Sequence, residues 1–424
     1  MVIGATDQRE ILVTRPLRAA ATAATLPLRT SKVAADGWRG YAASAWGRRA
    51  GAGQVSKELA LWARTVTQHR KPRWAHPHTV VRTWPFARLL DYSNSAAVEG
   101  VVPTLVLPPQ AGHASTVVDH ADGQSQMVML RDAGLTSLYT FDWLPATRAT
   151  ADAGIEDYLT AMDETIDSLG GRVNLVGDCQ GGWLSAIYAG LHPDKVNTLT
   201  VAGAPIDTHA GGGVAAAFSR RVPAWLQEAV YRATITVEGG LHRGRSQLAF
   251  FKGLDPLASL QRSMGLLPRI HDEDFVARYV EFADWYEYTQ DIPGNFYLWA
   301  VIHLFVRNEL VSGEMVIGGE QVDLGRITCP VFLITGIRDH ITPEKQVWAL
   351  GDHVSTPKEQ IFSDRIDAGH LGVFLGRSAL EDHWPRLMRQ VAAYSQPDIE
   401  RKASPARAAR ARAIKPASVT SAPA

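Results

Sequence analysis

Between about residue 100 and residue 395 the chain alternates short apolar runs with longer amphipathic stretches. "PTLVLP" (103–108), "LTSLYTFDW" (135–143), "RVNLVGD" (172–178), "VNTLTVAGAPID" (196–207) and "CPVFLITG" (329–336) read as strands. Between two of them, "GIEDYLTAMDETIDSLGG" (154–171) sets Ile155, Leu159, Met162, Ile166 and Leu169 on one helical face, with Gly170 as a stop. "GGWLSAIYAGLH" (181–192) is another helix. Strands that alternate with helices predict a mostly parallel central sheet with helices on both faces. The rhythm breaks over 208–290, where "PAWLQEAVYRATI", "SQLAFFKGLDPLASLQR" and "DEDFVARYVEFADWYEY" are helical with no strand between them. The expected layout is therefore an arm (1–75), a core (76–207), a helical cap (208–290), the rest of the core (291–395) and a tail (396–424).

Composition narrows the class. Hydrophobic residues make up 46% and charged residues 20%, which suits a globular chain with ample core material. A formal net charge of zero gives no reason to expect a nucleic-acid partner. The chain has only two cysteines, Cys179 and Cys329, and no His-x-x-x-His or Cys-x-x-Cys. Neither a disulfide framework nor a metal site is expected, and a reducing cytoplasm is. No stretch reads as a signal peptide or reaches the roughly 20 apolar residues of a membrane span. Both ends are basic and rich in alanine. The first suits a solvated arm or an amphipathic helix on an apolar surface; the last is expected to be disordered.

The candidate chemistry sits in "VNLVGDCQGGWL". Strand, tight turn and helix form the layout of a nucleophile elbow, with Cys179 at its apex. Gly177 and Gly181 flank the nucleophile at two residues' distance, and Gly182 follows, leaving room for the turn. The helix start directs its positive end at the sulfur, which favours thiolate. The N–H of Gln180 points where an oxyanion would form. Cys329 heads an apolar strand with no basic group nearby and reads as core.

An elbow nucleophile needs an orienting acid and then a histidine, in that chain order. "LITGIRDHITP" supplies Asp339 just past a strand, and "DAGHLGVF" supplies His370 after Gly369. Imidazole would take the thiol proton while Asp339 fixes the ring. Asp364 and Asp367 lie in the strand leading to His370 and are expected to face solvent. His303, His340, His353 and His383 lack the preceding Gly turn. A second oxyanion donor is expected from "PPQAGHAST", at the N–H of Gln110 or Ala111, where His113 could line the same mouth.

Taken together, these residues resemble the polyhydroxyalkanoate synthase and intracellular depolymerase superfamily of bacterial proteins with the α/β-hydrolase fold. The synthases' Gly-x-Cys-x-Gly-Gly box is matched by Gly177 to Gly182, their Asp-His pair by Asp339-His340 and their late Gly-His by Gly369-His370. "WPFARLLDY", "PPQAGHAST" and "GHLGVFLG" are similar to the depolymerases, which also follow the cysteine with glutamine, as in Cys179-Gln180. The resemblance spans about residues 80–395. It implies acyl transfer on 3-hydroxyacyl units through a Cys179 thioester, from a 3-hydroxyacyl-CoA to the hydroxyl of a growing polyester. Coenzyme A would enter only as part of a substrate or product, with no other cofactor, and His340 could assist the acceptor. A granule surface is a further partner the resemblance implies. The same triad also serves a depolymerase or an acyl-thioester hydrolase, and a third reading is a non-catalytic granule protein. On the synthase reading the cap would be a lid hinged at 211–213, with Trp225, Phe250, Phe251, Trp285 and Tyr286 lining an acyl channel.

Overall fold

Five of the apolar runs become neighbours in one eight-stranded sheet. The computed structural model describes residues 6–94, 100–212 and 222–396. The strands are β1 (Thr79–Trp84), β2 (Ala87–Asp91), β3 (Thr104–Leu107), β4 (Leu138–Trp143), β5 (Val173–Asp178), β6 (Val196–Ala202), β7 (Val331–Gly336) and β8 (Ile361–Ile366). Their spatial order is β1-β2-β4-β3-β5-β6-β7-β8. From β4 to β8 every neighbouring pair is parallel, and only the β1-β2 and β2-β4 pairs are antiparallel. The observed strands are shorter than the runs that predict them. Prolines at 103 and 108 cannot donate to the ladder, and Gly203 turns the chain after β6 with φ 51°. The β1-β2 hairpin escapes the pattern because β1 is exposed along nearly its whole length.

The sheet centre explains why the helix after β5 shows no apolar stripe. Every residue of Gln180–Leu191 is buried, so the helix has no solvent face to mark with polar groups. Ile155, Leu159, Met162 and Ile166 enter the same core, as their spacing predicts. Beside them Tyr158 stacks on Phe296 with ring centroids 4.0 Å apart and on Phe86 at 4.8 Å.

A buried amide ties the central strands to the last described helix, Trp384–Ser395. Asn174 Nδ2 donates to Ser395 Oγ at 2.8 Å and Thr104 Oγ1 at 3.2 Å. Its Oδ1 accepts from Asn197 Nδ2 at 2.7 Å and Thr198 Oγ1 at 3.0 Å. The hub spans β3, β5, β6 and that helix.

The chain divides into two compact units. One holds Arg73–Arg245 and the chain from Thr289 onward, including the sheet; the other holds the chain up to Pro72 with Ser246–Tyr288. In the second unit, Thr6–Gly47 and Ala52–Thr67 are helices. Tyr41 packs with Leu266, Leu267 and Ile270, and Trp62 Nε1 donates to Ser263 O at 2.8 Å. Gly37 permits the approach, since a Cβ there would lie 2.9 Å from Met264 Cβ. Glu58 is buried and takes both guanidinium nitrogens of Arg48, at 2.7 and 3.0 Å. Those bonds outweigh burial and, with Gln54 and Tyr41, hold its carboxyl at about 2.

The boundaries therefore differ from the expected layout. Over its described residues the arm is a pair of helices with their own core, because the apolar positions from Tyr41 to Val66 find partners far along the chain. The insertion is split: Ala224–Val237 belongs with the sheet, and Ser246–Tyr288 with the N-terminal helices. A short pairing of Leu241–His242 with Ile292–Pro293 also supplies strand where none was expected. The aromatics proposed as a channel lining are divided between the units, Trp225 in the one with the sheet and Phe250, Phe251, Trp285 and Tyr286 in the other. Trp225 is 70% exposed and Phe250 53%, while Trp285 is buried against Phe282 and Tyr286 of its own unit. Of the expected hinge, Gly211 and Gly212 have φ 68° and 73°; residue 213 and the tail beyond 396 lie outside the described residues.

Removing the hub should be costly. Asn174→Ala leaves several buried polar groups unpaired and should lower the unfolding free energy by about 3 kcal/mol in a urea titration. A loss under about 0.5 kcal/mol would show that the network contributes nothing beyond packing.

Candidate active site

β5 ends at Asp178, and Cys179 follows with φ 50° and ψ −109°, a conformation that costs an L residue energy. Backbone contacts hold it there. Cys179 N–H donates to Ala202 O at 2.8 Å, and Cys179 O accepts from Gly182 N–H at 3.0 Å. The three expected glycines are each required by space. A Cβ would fall 2.4 Å from Gly181 O at Gly177, 1.8 Å from Leu107 O at Gly181, and 2.4 Å from Ala204 Cβ at Gly182. The first turn of the helix thus lies directly on the end of β3. Cys179 is left half-buried, at the C-terminal edge of the sheet.

Asp339 sits on the turn after β7, buried. Its Oδ1 accepts from the N–H groups of Ile341 at 2.9 Å and Thr342 at 2.8 Å, and its Oδ2 from His370 Nδ1 at 2.7 Å. His370 opens the helix His370–Leu375 behind Gly369. Gly203 makes room for that helix: a Cβ there would lie 2.8 Å from Phe374 Cζ and 3.6 Å from His370 Cε1. Cys179 stands near enough to act electrostatically on the ring. Burial alone favours neutral imidazole. Asp339 first, through its charge and its hydrogen bond, and then the neighbouring Cys179 outweigh it and hold the His370 pKa well above the ordinary range. The three residues expected as nucleophile, acid and base are therefore brought to one site, with His370 hydrogen-bonded to Asp339.

The competing residues go elsewhere. Asp367 is exposed and pairs with Arg338 at 2.8 Å. Asp364, expected to face solvent, instead accepts from His383 Nδ1 at 3.0 Å and pairs with Arg386 at 2.9 Å, which accounts for both that aspartate and that histidine. His303 is bonded to Glu309. His340 and His353 are exposed, and His340 follows the buried Asp339 on the same turn. His113 is buried in its loop rather than exposed. Cys329 packs against the core, and burial pushes its thiol up to about 12.

The loop expected to complete an oxyanion hole is firmly held. Trp143 Nε1 donates to Pro108 O at 2.8 Å, the Tyr158 hydroxyl to Gln110 Oε1, and Gln290 N–H to Gly112 O at 2.9 Å. One of its two expected donors is taken, however. Gln110 N–H donates to Gln180 Oε1 at 2.8 Å, which leaves Gln180 N–H and Ala111 N–H as the expected pair. This side-chain lock by Gln180, and the burial of Asp178 beside the nucleophile, are features that sequence reasoning missed. The only signal was their place on either side of Cys179.

A mostly parallel sheet with a strand-turn-helix elbow at Cys179, and with Asp339 and His370 hydrogen-bonded beside it, defines an α/β-hydrolase fold. The family model described as "Protein of unknown function (DUF3141)" matches residues 84–393, and the chain belongs to that family. Within the superfamily it is related to poly(3-hydroxyalkanoate) polymerases. It is 26% identical over 318 residues to the polymerase subunit PhaC of Haloferax mediterranei, covering 73% of this chain and 62% of that one. The chain thus matches less than two thirds of that relative's length. Identity is 27% to the Allochromatium vinosum subunit (59% of this chain, 70% of that one) and 27% to that of Synechocystis (70% and 81%). Among solved structures, the monoacylglycerol lipase of Paleococcus ferrophilus aligns with TM-score 0.45 and 18% identity, over 73% of this chain and 99% of that one. Among the described residues no helix is long and apolar enough to cross a membrane.

The raised His370 pKa fixes a sign. Its second proton should persist above the ordinary value of about 6.5 and leave only as pH rises through the folded value. With histidine rings labelled with 15N, Asp339→Asn should lower that titration by about one unit or more, and Asp367→Asn should leave it in place. The reverse ranking would reassign the orienting acid.

Proposed function

We propose that the protein transfers 3-hydroxyacyl groups through a thioester on Cys179, from a 3-hydroxyacyl-CoA to the hydroxyl end of a polyester. The observation that carries this reading is the assembled Cys179, His370 and Asp339 set on the elbow; the kinship with polymerases supplies the substrate class. In the first half-reaction Sγ attacks the thioester carbonyl and its proton resides on His370. The oxyanion meets the helix start, and coenzyme A leaves with the proton from His370. In the second, the acceptor hydroxyl attacks the acyl-cysteine, His370 takes the hydroxyl proton, and the Cys179 sulfur departs and recovers it. A thiol suits this exchange, because transfer between two thioesters is nearly balanced and thiolate both attacks and leaves well. On this reading the protein works in the cytoplasm, with the polyester granule as its surface, and coenzyme A is a product rather than a resident cofactor.

Supplied with 3-hydroxybutyryl-CoA, the protein should release coenzyme A in step with formation of insoluble polyester. Cys179→Ala should abolish release by at least about 10³-fold, and Cys179→Ser should retain a trace. His370→Ala should cost more than Asp339→Asn. Soluble 3-hydroxybutyrate with no polymer would favour the hydrolase reading; unaltered release by Cys179→Ala would remove both.

A further inference from the structure

Asp178, the last residue of β5, has no role in the triad, yet it is fully buried one position before the nucleophile. Its Oδ1 accepts from Gln126 Nε2 at 3.2 Å, where Gln126 is itself buried at the start of the helix Gln126–Asp132. Two acceptor atoms of this pair, Asp178 Oδ2 and Gln126 Oε1, are buried without a partner. Two bare acceptors on adjacent groups are costly. A single proton resolves both: a carboxylic acid has one O–H donor to give, and Gln126 Oε1 is an acceptor in need of one.

We propose that Asp178 is a positioning residue that works as a neutral carboxylic acid. It forms a two-bond acid–amide pair with Gln126, which anchors the strained Cys179 turn to the helix Gln126–Asp132 and keeps a second negative charge away from the thiolate. In that pair Nε2–H donates to Oδ1, and Oδ2–H donates to Oε1. The surroundings agree with it. Ala202, its register partner on β6, is apolar, and β3 ends opposite Gly177. The titratable groups facing it are His370 and, next in the chain, Cys179. Burial pushes the Asp178 carboxyl up to about 7, while the Gln126 bond and the His370 charge hold it back from going higher. An acid kept neutral by its site can donate a hydrogen bond that a carboxylate cannot.

The neutral acid is favoured in the folded state, so its contribution is full below the unfolded value of about 4 and is lost as pH rises through about 7. Asn at this position keeps both bonds at every pH. Two arms do not depend on the proposed reaction, so they stand or fall separately from it. In the infrared spectrum at pH 5 to 6, a carboxylic-acid C=O band should be present in the wild type, absent in Asp178→Asn, and lost on raising the pH. The melting temperature of Asp178→Asn relative to wild type should climb as pH goes from 5 to 8. A third arm reads the nucleophile: Asp178→Leu and Gln126→Leu, which cannot form the pair, should slow iodoacetamide alkylation of Cys179 by roughly tenfold, and Asp178→Asn by less. If the band is missing at pH 5, or Asp178→Asn is destabilised equally at all pH values, Asp178 is an ionised carboxylate and the proposal is overturned. Alkylation equal to wild type in both leucine variants would overturn the positioning role.

Discussion

The site depends on one close approach of backbone to backbone. The first turn of the helix Gln180–Leu191 rests on the Leu107 carbonyl so tightly that a methyl group on Gly181 would lie 1.8 Å from it. Neither strand nor helix could come so near with a side chain between them. From this contact follow the sharp turn, the positive φ of Cys179 and the placement of the sulfur at the edge of the sheet. The strain is sustained because the turn is over-determined: Ala202 and Gly182 hold its backbone, and Gly177 lets the returning helix pass.

Around that fixed point the other groups converge by their own local rules. β7 delivers Asp339 to a turn whose N–H groups at Ile341 and Thr342 already hold one carboxylate oxygen, so the other is aimed at His370. The loop after β3 is pinned by Trp143 and Tyr158, both rooted in the aromatic core. Tyr158 thus both stacks on Phe296 and donates to Gln110 in that loop. Core packing and the loop beside Cys179 share the same residues here.

Much of this was legible in the chain. The parallel core was written in runs such as 172–178 and 329–336, because strands buried on both faces must be continuously apolar. Cys179, Asp339 and His370 were legible because the elbow constrains spacing and the sheet fixes their order. What the chain concealed lies in pairings distant along it. Nothing in "LQRSMGLL" says that its helix packs with Tyr41, and nothing in β1 marks it as an edge strand. Gln180 blocking the Gln110 N–H, and Asp364 turning to His383, are choices among hydrogen-bond partners that only three-dimensional proximity decides.

On the proposed reaction the acyl group passes through sulfur at the elbow. Acid quench within the first turnover of 3-hydroxybutyryl-CoA, followed by peptide mass analysis, reads this directly. The expected result is a 3-hydroxybutyryl adduct on the peptide carrying Cys179, none on that carrying Cys329, and none after prior alkylation. Release of coenzyme A with Cys179 unmodified throughout, or an adduct confined to another residue, would contradict it.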